Sequence, residues 1–286
     1  MSRAKVVLIM VCLAANVASA ADTPTSQLHF KVIAGSVIVV PVMVNGRGPY
    51  DFVFDTGSES SMIDTALARE LGIAALDRVV LHSPGGSGVL GRSLAAEIRL
   101  GPVRVLNSEV LIGPLGGLGS LSNKIHGIIG QTVLKHLDYV LDNAHSRIDF
   151  APTSDDIASI RGVKRELRQS HIRPVLSATF PGSSQLNLVL DSGASNIVIS
   201  ARYRSLVWRC AESDCVSTMR TSLITQQTVA GRVAELDVAG RRFRDLQAAL
   251  SNESPDEEED GLLPTRLFST IYFNNSEGYV LLGSAR

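Results

Sequence analysis

The stretch Tyr50-Asp51-Phe52-Val53-Phe54-Asp55-Thr56-Gly57-Ser58 decides how this chain is read, because the chain carries the pattern twice. Its echo is Leu186-Asn187-Leu188-Val189-Leu190-Asp191-Ser192-Gly193-Ala194. In each copy an apolar, β-favouring run ends on Asp, and a small hydroxyl residue and Gly follow. A second apolar run then begins, at Ser61-Met62-Ile63 and at Asn196-Ile197-Val198-Ile199. Asp, Ser, Thr and Gly are residues that close tight turns, so each copy reads as strand, turn, strand. Further out, His126-Gly127-Ile128-Ile129-Gly130 is echoed by Asp260-Gly261-Leu262-Leu263-Pro264. The offset from each Asp to the second aliphatic of the pair is 74 residues in the first copy and 72 in the second. A short helical pattern (131–137 and 265–271) and a closing strand (146–150 and 278–282) complete each copy. The expected architecture is all-β and bilobal. Two barrel-like β lobes with short helices, 21–152 and 165–286, are related by a pseudo-twofold axis, with 153–164 as a polar connector.

The remaining sequence narrows the function classes. A chain of 286 residues, 45% hydrophobic and 19% charged, is neither disordered, collagen-like nor multi-span membrane protein. With 27 basic and 28 acidic residues it has no surplus cation to neutralise phosphates, so no nucleic-acid partner is expected. The acidic run Asp256-Glu257-Glu258-Glu259-Asp260 reads as a solvated loop, since its like charges repel. At the N-terminus Arg3 and Lys5 precede an apolar stretch, 6–17, and Ala18-Ser19-Ala20 supplies the small residues of a cleavage site. Residues 1–20 are therefore expected to be a signal peptide, with a periplasmic or extracellular fate and no stable membrane insertion. A membrane anchor is the alternative, but the stretch is short and interrupted by Asn16, and Val11 disfavours lipidation at Cys12. Cleavage would remove two basic residues and no acid, leaving 25 basic against 28 acidic. Cys210 and Cys215, five positions apart in an exported chain, are expected to form a small-loop disulfide. The six histidines are scattered without metal-ligand spacing, so neither a metal nor a cofactor is expected.

Twofold symmetry would bring the two Asp turns face to face. Carboxyls about 3 Å apart cannot both ionise, so they share one proton and present an acid beside a base. That pair can activate a water molecule for attack on a peptide carbonyl. On these motifs the chain resembles the pepsin/retropepsin-type aspartic proteases, with both lobes on one polypeptide. The resemblance extends over essentially all of the chain beyond the leader. It implies Asp55 and Asp191 as the catalytic dyad, Thr56 and Ser192 tying the turns together, and Gly57 and Gly193 completing them. It also implies the aliphatic pairs Ile128-Ile129 and Leu262-Leu263 packed beneath, and a peptide or protein substrate. With both halves on one chain, a monomer suffices. Ser58 gives the first turn an extra hydroxyl where Ala194 gives none, so Asp55 is expected to carry the charge and Asp191 the proton.

The sequence departs from the family pattern twice. Pro264 stands where Gly is expected, and its missing N–H motivates an alternative reading as a catalytically degenerate peptide-binding or inhibitor-like module. The expected substrate-covering flap, Ser83-Pro84-Gly85-Gly86-Ser87-Gly88, lacks the tyrosine of pepsin flaps and is Gly-rich like the retropepsin kind. A counterpart is expected near 225–231. Gly86-Ser87-Gly88-Val89-Leu90-Gly91 also fits the dinucleotide fingerprint GxGxxG, but without βαβ alternation around it a hairpin is the better account. Gly85-Gly86-Ser87-Gly88 approaches a serine-hydrolase elbow but has Val89 in place of the last Gly. The Asn252 and Asn274 glycosylation triplets matter only in a eukaryotic secretory pathway.

Overall fold

The computed structural model describes residues 26–83, 86–118, 122, 124–170, 172–180, 185–209, 216–220, 225–251 and 258–286. The leader 1–20, Pro84, Gly85, Cys210 and Cys215, with the expectations placed on them, lie outside the described residues.

The two halves are threaded alike. The first sheet has eight strands, in the order Lys31–Ile33, Val37–Val44, Arg47–Phe54, Ile125–Ile129, Ser61–Asp64, Val103–Gly113, Gly86–Leu100, Asp77–Ser83. The second runs Arg168–Ser170, Arg173–Thr179, Gln185–Asp191, Gly261–Pro264, Ile197–Ser200, Arg241–Ser251, Thr225–Val238, Trp208–Arg209, with Val216–Arg220 also paired to Thr225–Val238. In both, the strand entering the Asp turn lies parallel to the strand of paired aliphatics, so Phe54 faces Ile129 and Leu190 faces Leu263. Both sheets also curl onto themselves: Val37–Val44 pairs with Gly86–Leu100, and Arg173–Thr179 with Thr225–Val238. The bilobal, all-β expectation is met.

Strand periodicity explains how two layers of core are filled. Along Val37–Val44 the side chains of Ile38, Val40, Val42 and Val44 join the main apolar cluster, while Val37 and Val39 join a smaller one containing Val53, Leu90, Leu115 and Leu118. Alternate residues point to opposite faces of a pleated strand, so one β-rich segment feeds both.

A third sheet, of six strands, joins the lobes. Its order is Gln27–His29, Arg147–Asp149, Tyr139–Asp142, Thr270–Asn274, Tyr279–Leu282, Val163–Glu166. The seam is the antiparallel pairing of Tyr139–Asp142 with Thr270–Asn274, where the fully buried Tyr139 ring stacks on Phe273 at 4.8 Å. The main apolar cluster runs through this seam from Phe54 to Leu190, so the lobes share one core. The helical patterns expected at 131–137 and 265–271 are both shorter than read. The first is one turn, Gln131–Leu134, and the second a 3-10 turn, Thr265–Leu267, because the sheet takes the chain again from Thr270.

Within 153–164 lies the helix Ser154–Ser159, opened by a reciprocal cap in which Thr153 and Asp156 bond each other's backbone N–H. The acidic run is not wholly solvated. Glu258 is exposed, but Glu259 and Asp260 are buried, held by Arg173 and Arg202. Gly86 to Gly91 sit in one continuous strand paired along its length with Asp77–Ser83, and Gly91 also faces Ile112, with no turn into a helix, which sets the dinucleotide reading aside. Among the described residues no helix is long and apolar enough to cross a membrane.

Candidate active site

Asp55 stands directly after the strand Arg47–Phe54, and Asp191 ends the strand Gln185–Asp191. Each turn then folds back on its own carboxylate. Asp55 Oδ1 accepts from the backbone N–H groups of Gly57 at 3.0 Å and Ser58 at 3.1 Å, and Oδ2 accepts from the Ser58 hydroxyl at 2.8 Å. Asp191 Oδ1 accepts from Gly193 at 2.6 Å and Ala194 at 3.1 Å. Such bonds make Asp a turn-forming residue and fix where the free carboxylate oxygen points.

The hydroxyls of Thr56 and Ser192 lock the two turns to one another. Thr56 Oγ1 donates to the Leu190 carbonyl at 2.7 Å and accepts from Ser192 N–H at 3.0 Å. Reciprocally, Ser192 Oγ donates to the Phe54 carbonyl at 2.8 Å and accepts from Thr56 N–H at 3.0 Å. Both residues are buried. Thr56→Val keeps the volume but leaves a buried N–H and a buried C=O without these partners, at about 1–3 kcal/mol each. Urea unfolding of Thr56→Val should therefore show a loss of about 2–6 kcal/mol, with Thr56→Ser close to wild type. Equal midpoints for the two variants would remove the lock from the account.

Gly57 and Gly193 let the turns approach. A Cβ on Gly57 would lie 2.4 Å from Asp191 Cγ, and one on Gly193 would lie 2.9 Å from Asp55 Cγ. Each glycine is thus packed against the carboxyl of the other lobe. Burial is the main cause that pushes the Asp191 carboxyl well above the usual carboxylate range. The nearby Asp55 charge and a hydrogen bond with Asp55 act in the same direction, opposed by the N–H bonds from Gly193 and Ala194.

Residues 40–133 match the family model described as aspartyl protease. No curated protein sequence matches the chain. Among solved structures, the aspartic proteinase from Irpex lacteus is similar with a TM-score of 0.54 at 13% identity, covering 91% of this chain and 97% of that one. The fold is that of the pepsin/retropepsin-like aspartic proteases.

Within this protease fold the two turns rest on different supports. In lobe one Gly130 N–H donates to Ser61 Oγ at 3.0 Å, Thr132 Oγ1 donates to Ser61 Oγ at 2.9 Å, and Gln131 Nε2 reaches the Thr56 carbonyl at 2.7 Å. In lobe two Pro264 replaces Gly130 and Ile197 replaces Ser61, so the donor and its acceptor are lost together. The proline nevertheless keeps its place in the ladder opposite Asp191. Lobe two also anchors its turn through Arg266, whose guanidinium donates to the Ser195 carbonyl, where lobe one uses Thr132 N–H on the Glu59 carbonyl. The backbone donor that proline lacks is thus matched by the absence of its acceptor. Pro264→Gly should destabilise by about 1–3 kcal/mol, because it adds a buried N–H facing Ile197 and frees the unfolded chain. Thermal unfolding of Pro264→Gly beside Pro264→Gly/Ile197→Ser checks this: the double variant should recover part of the loss.

Gly86, Ser87 and Gly88 open the second arm of a hairpin, with Ser83 paired to Gly86, His82 to Ser87 and Leu81 to Gly88. The counterpart in lobe two is expected at 225–231. Those residues lie inside the strand Thr225–Val238, which pairs antiparallel with Val216–Arg220, so they form an arm of that hairpin; 221–224 lie outside the described residues. The supports Gln131, Thr132, Arg266 and Ser36 escaped the sequence reading because no motif marks them. The Ser36 hydroxyl reaches across the lobes to hydrogen-bond the Ser195 hydroxyl. The buried Glu259 was hidden by its setting in an acidic run.

Proposed function

We propose that the chain is an aspartic endopeptidase that hydrolyses peptide bonds at the cleft between its lobes. The ionised carboxylate takes a proton from a water held between Asp55 and Asp191, and that water's oxygen attacks the peptide carbonyl. The protonated partner gives its proton to the developing oxyanion. On collapse the C–N bond breaks, the leaving nitrogen takes the proton that the base had drawn from water, and one hydroxyl of the intermediate returns its proton to the other carboxylate as the C=O reforms, leaving the pair with one shared hydrogen. The observation that carries this reading is the apposition of two carboxyls, each seated against the glycine of the opposite turn.

The roles divide by environment. Asp55 has three hydrogen bonds to its carboxylate, one from a hydroxyl. Asp191 is buried, with its carboxyl pushed upward, and holds the proton.

The hairpin of Asp77–Ser83 and Gly86–Leu100 is assigned the flap's role, supported by its Gly-rich approach to the turn. One Asp from each lobe of a single chain supports a monomeric enzyme, and the leader pattern at 1–20 supports export before action. The purified chain lacking 1–20 should cleave members of a diverse peptide library between pH 3 and 7. Binding of peptides without cleavage across that range would overturn the reading.

A further inference from the structure

Resting on the reading of Asp55 and Asp191 as the reacting pair, we propose that Arg173 is a positioning residue. Its guanidinium, anchored on Glu259 in lobe two, holds the Asp55 turn of lobe one in register through Glu59.

Arg173 opens the strand Arg173–Thr179, which pairs Val175 with Val189 in the strand that ends at Asp191. That ladder begins at Val175 and Val189, each two residues from Arg173 and Asp191 respectively. Its guanidinium is largely buried, at 12% side-chain exposure, and Nη2 lies 2.6 Å from Oε2 of Glu259, whose side chain is fully buried. The same nitrogen lies 3.5 Å from Oε1 of Glu59. Glu59 belongs to the other lobe and directly follows Ser58, the hydroxyl donor to Asp55. The Glu59 carbonyl also accepts from Thr132 N–H at 3.0 Å, so this residue is itself fixed to the floor of the turn.

A buried carboxylate is stabilised beside a paired cation, and the 2.6 Å contact with Glu259 pins the guanidinium in one place. The fork of donors then has reach left for a second carboxylate, which a lysine would serve less well. One residue on, Asp260 is paired with Arg202, so that acid does not compete for Arg173. On the other side of the pseudo-twofold the lobes touch through Ser36 and Ser195, a pair of hydroxyls in place of an ion pair. Ser195 holds the same place after its turn as Glu59 does after the first. Among the described residues the clasp is charged on one side only, and that is the side carrying the hydroxyl-supported Asp55.

If Arg173 positions the turn, loosening it separates the two carboxyls and weakens their coupling. The two macroscopic titrations of the pair then draw together, so the pH–rate bell narrows from both sides and kcat falls while KM holds. Glu59→Gln is the direct variant, since the Glu59 side chain is 44% exposed and its loss strands no buried charge. Arg173→Met/Glu259→Gln removes the clasp from the other end without leaving Glu259 unpaired. Each should lower kcat roughly fivefold and narrow the bell, with Arg173→Lys intermediate. The deciding readout is activity-independent: titration of carbon-13-labelled aspartate carboxyls by NMR in wild type and Glu59→Gln. Closer titrations in Glu59→Gln support the proposal, and an unchanged separation overturns it. A wild-type chain that titrates as a coupled pair but cleaves nothing would instead count against the endopeptidase reading.

Discussion

Asp55→Asn and Asp191→Asn should each lower kcat/KM for peptide cleavage by about 10²–10⁴-fold, the range in which positioned acid–base groups act. The amide keeps the shape of the carboxyl and can still accept the turn's N–H bonds, from Gly57 and Ser58 in one case and from Gly193 and Ala194 in the other. It can neither take a proton from water nor share one across the cleft. A fold defect is separated from a chemical one by stability. The Asp191 carboxyl is raised above its unfolded value by burial and by Asp55, so wild type loses stability as pH climbs from the ordinary carboxylate range through that raised value. Asn does not titrate. Asp191→Asn should therefore unfold at higher urea than wild type at pH 7, and the difference should shrink at pH 3, where wild-type Asp191 is protonated in both states. An inactive variant that is also less stable at pH 7 would contradict the burial argument, and an active one would end the dyad assignment.

Gly57→Ala should cost at least about 10²-fold in kcat/KM, the scale of a misplacement near 1 Å in reacting groups. Its new Cβ would stand 2.4 Å from Asp191 Cγ and 2.7 and 2.8 Å from the two carboxylate oxygens. The backbone of this turn cannot retreat easily, since Thr56 is bonded to both Ser192 and Leu190. Asp191 must swing instead, giving up bonds from Gly193 and Ala194 and its contact with Asp55. In Gly193→Ala the nearest atoms of Asp55 are 2.9 Å away, and Asp55 is less enclosed than Asp191, so the loss should be smaller. Steady-state kinetics on the two variants give the test. A Gly57→Ala enzyme as active as wild type, or less impaired than Gly193→Ala, would mean that the turns do not meet as described.

Sequence reading went furthest where physics repeats itself. The duplicated Asp turns and the downstream aliphatic pairs were legible because a strand that must lie parallel to its partner keeps a nearly constant offset, and the ladders Phe54–Ile129 and Leu190–Leu263 are that offset in space. The hairpin at Ser83 and Gly86 was legible from glycine-rich turn chemistry. Of the six-stranded sheet, the closing strands Arg147–Asp149 and Tyr279–Leu282 were legible and the seam between the lobes was not. Tyr139–Asp142 and Thr270–Asn274 are four and five residues long, too short for a clear period, and their strand character comes from pairing with each other although Tyr139 and Thr270 are 131 positions apart. The 265–271 segment read as helical for the same reason, since local pattern could not report the competing sheet. Glu259 and Arg173 show a second limit: a charge is read as solvated until its partner is found, and here the partner lies 86 positions upstream.

Carboxyl NMR titration of the wild-type protein, with Asp55→Asn and Asp191→Asn used to assign the signals, probes the shared proton itself. Two well-separated steps, each felt by both the Asp55 and Asp191 carbons, are the expected result. Two independent single steps, both near the ordinary aspartate value of about 4 and neither disturbed when the other residue becomes Asn, would contradict the account.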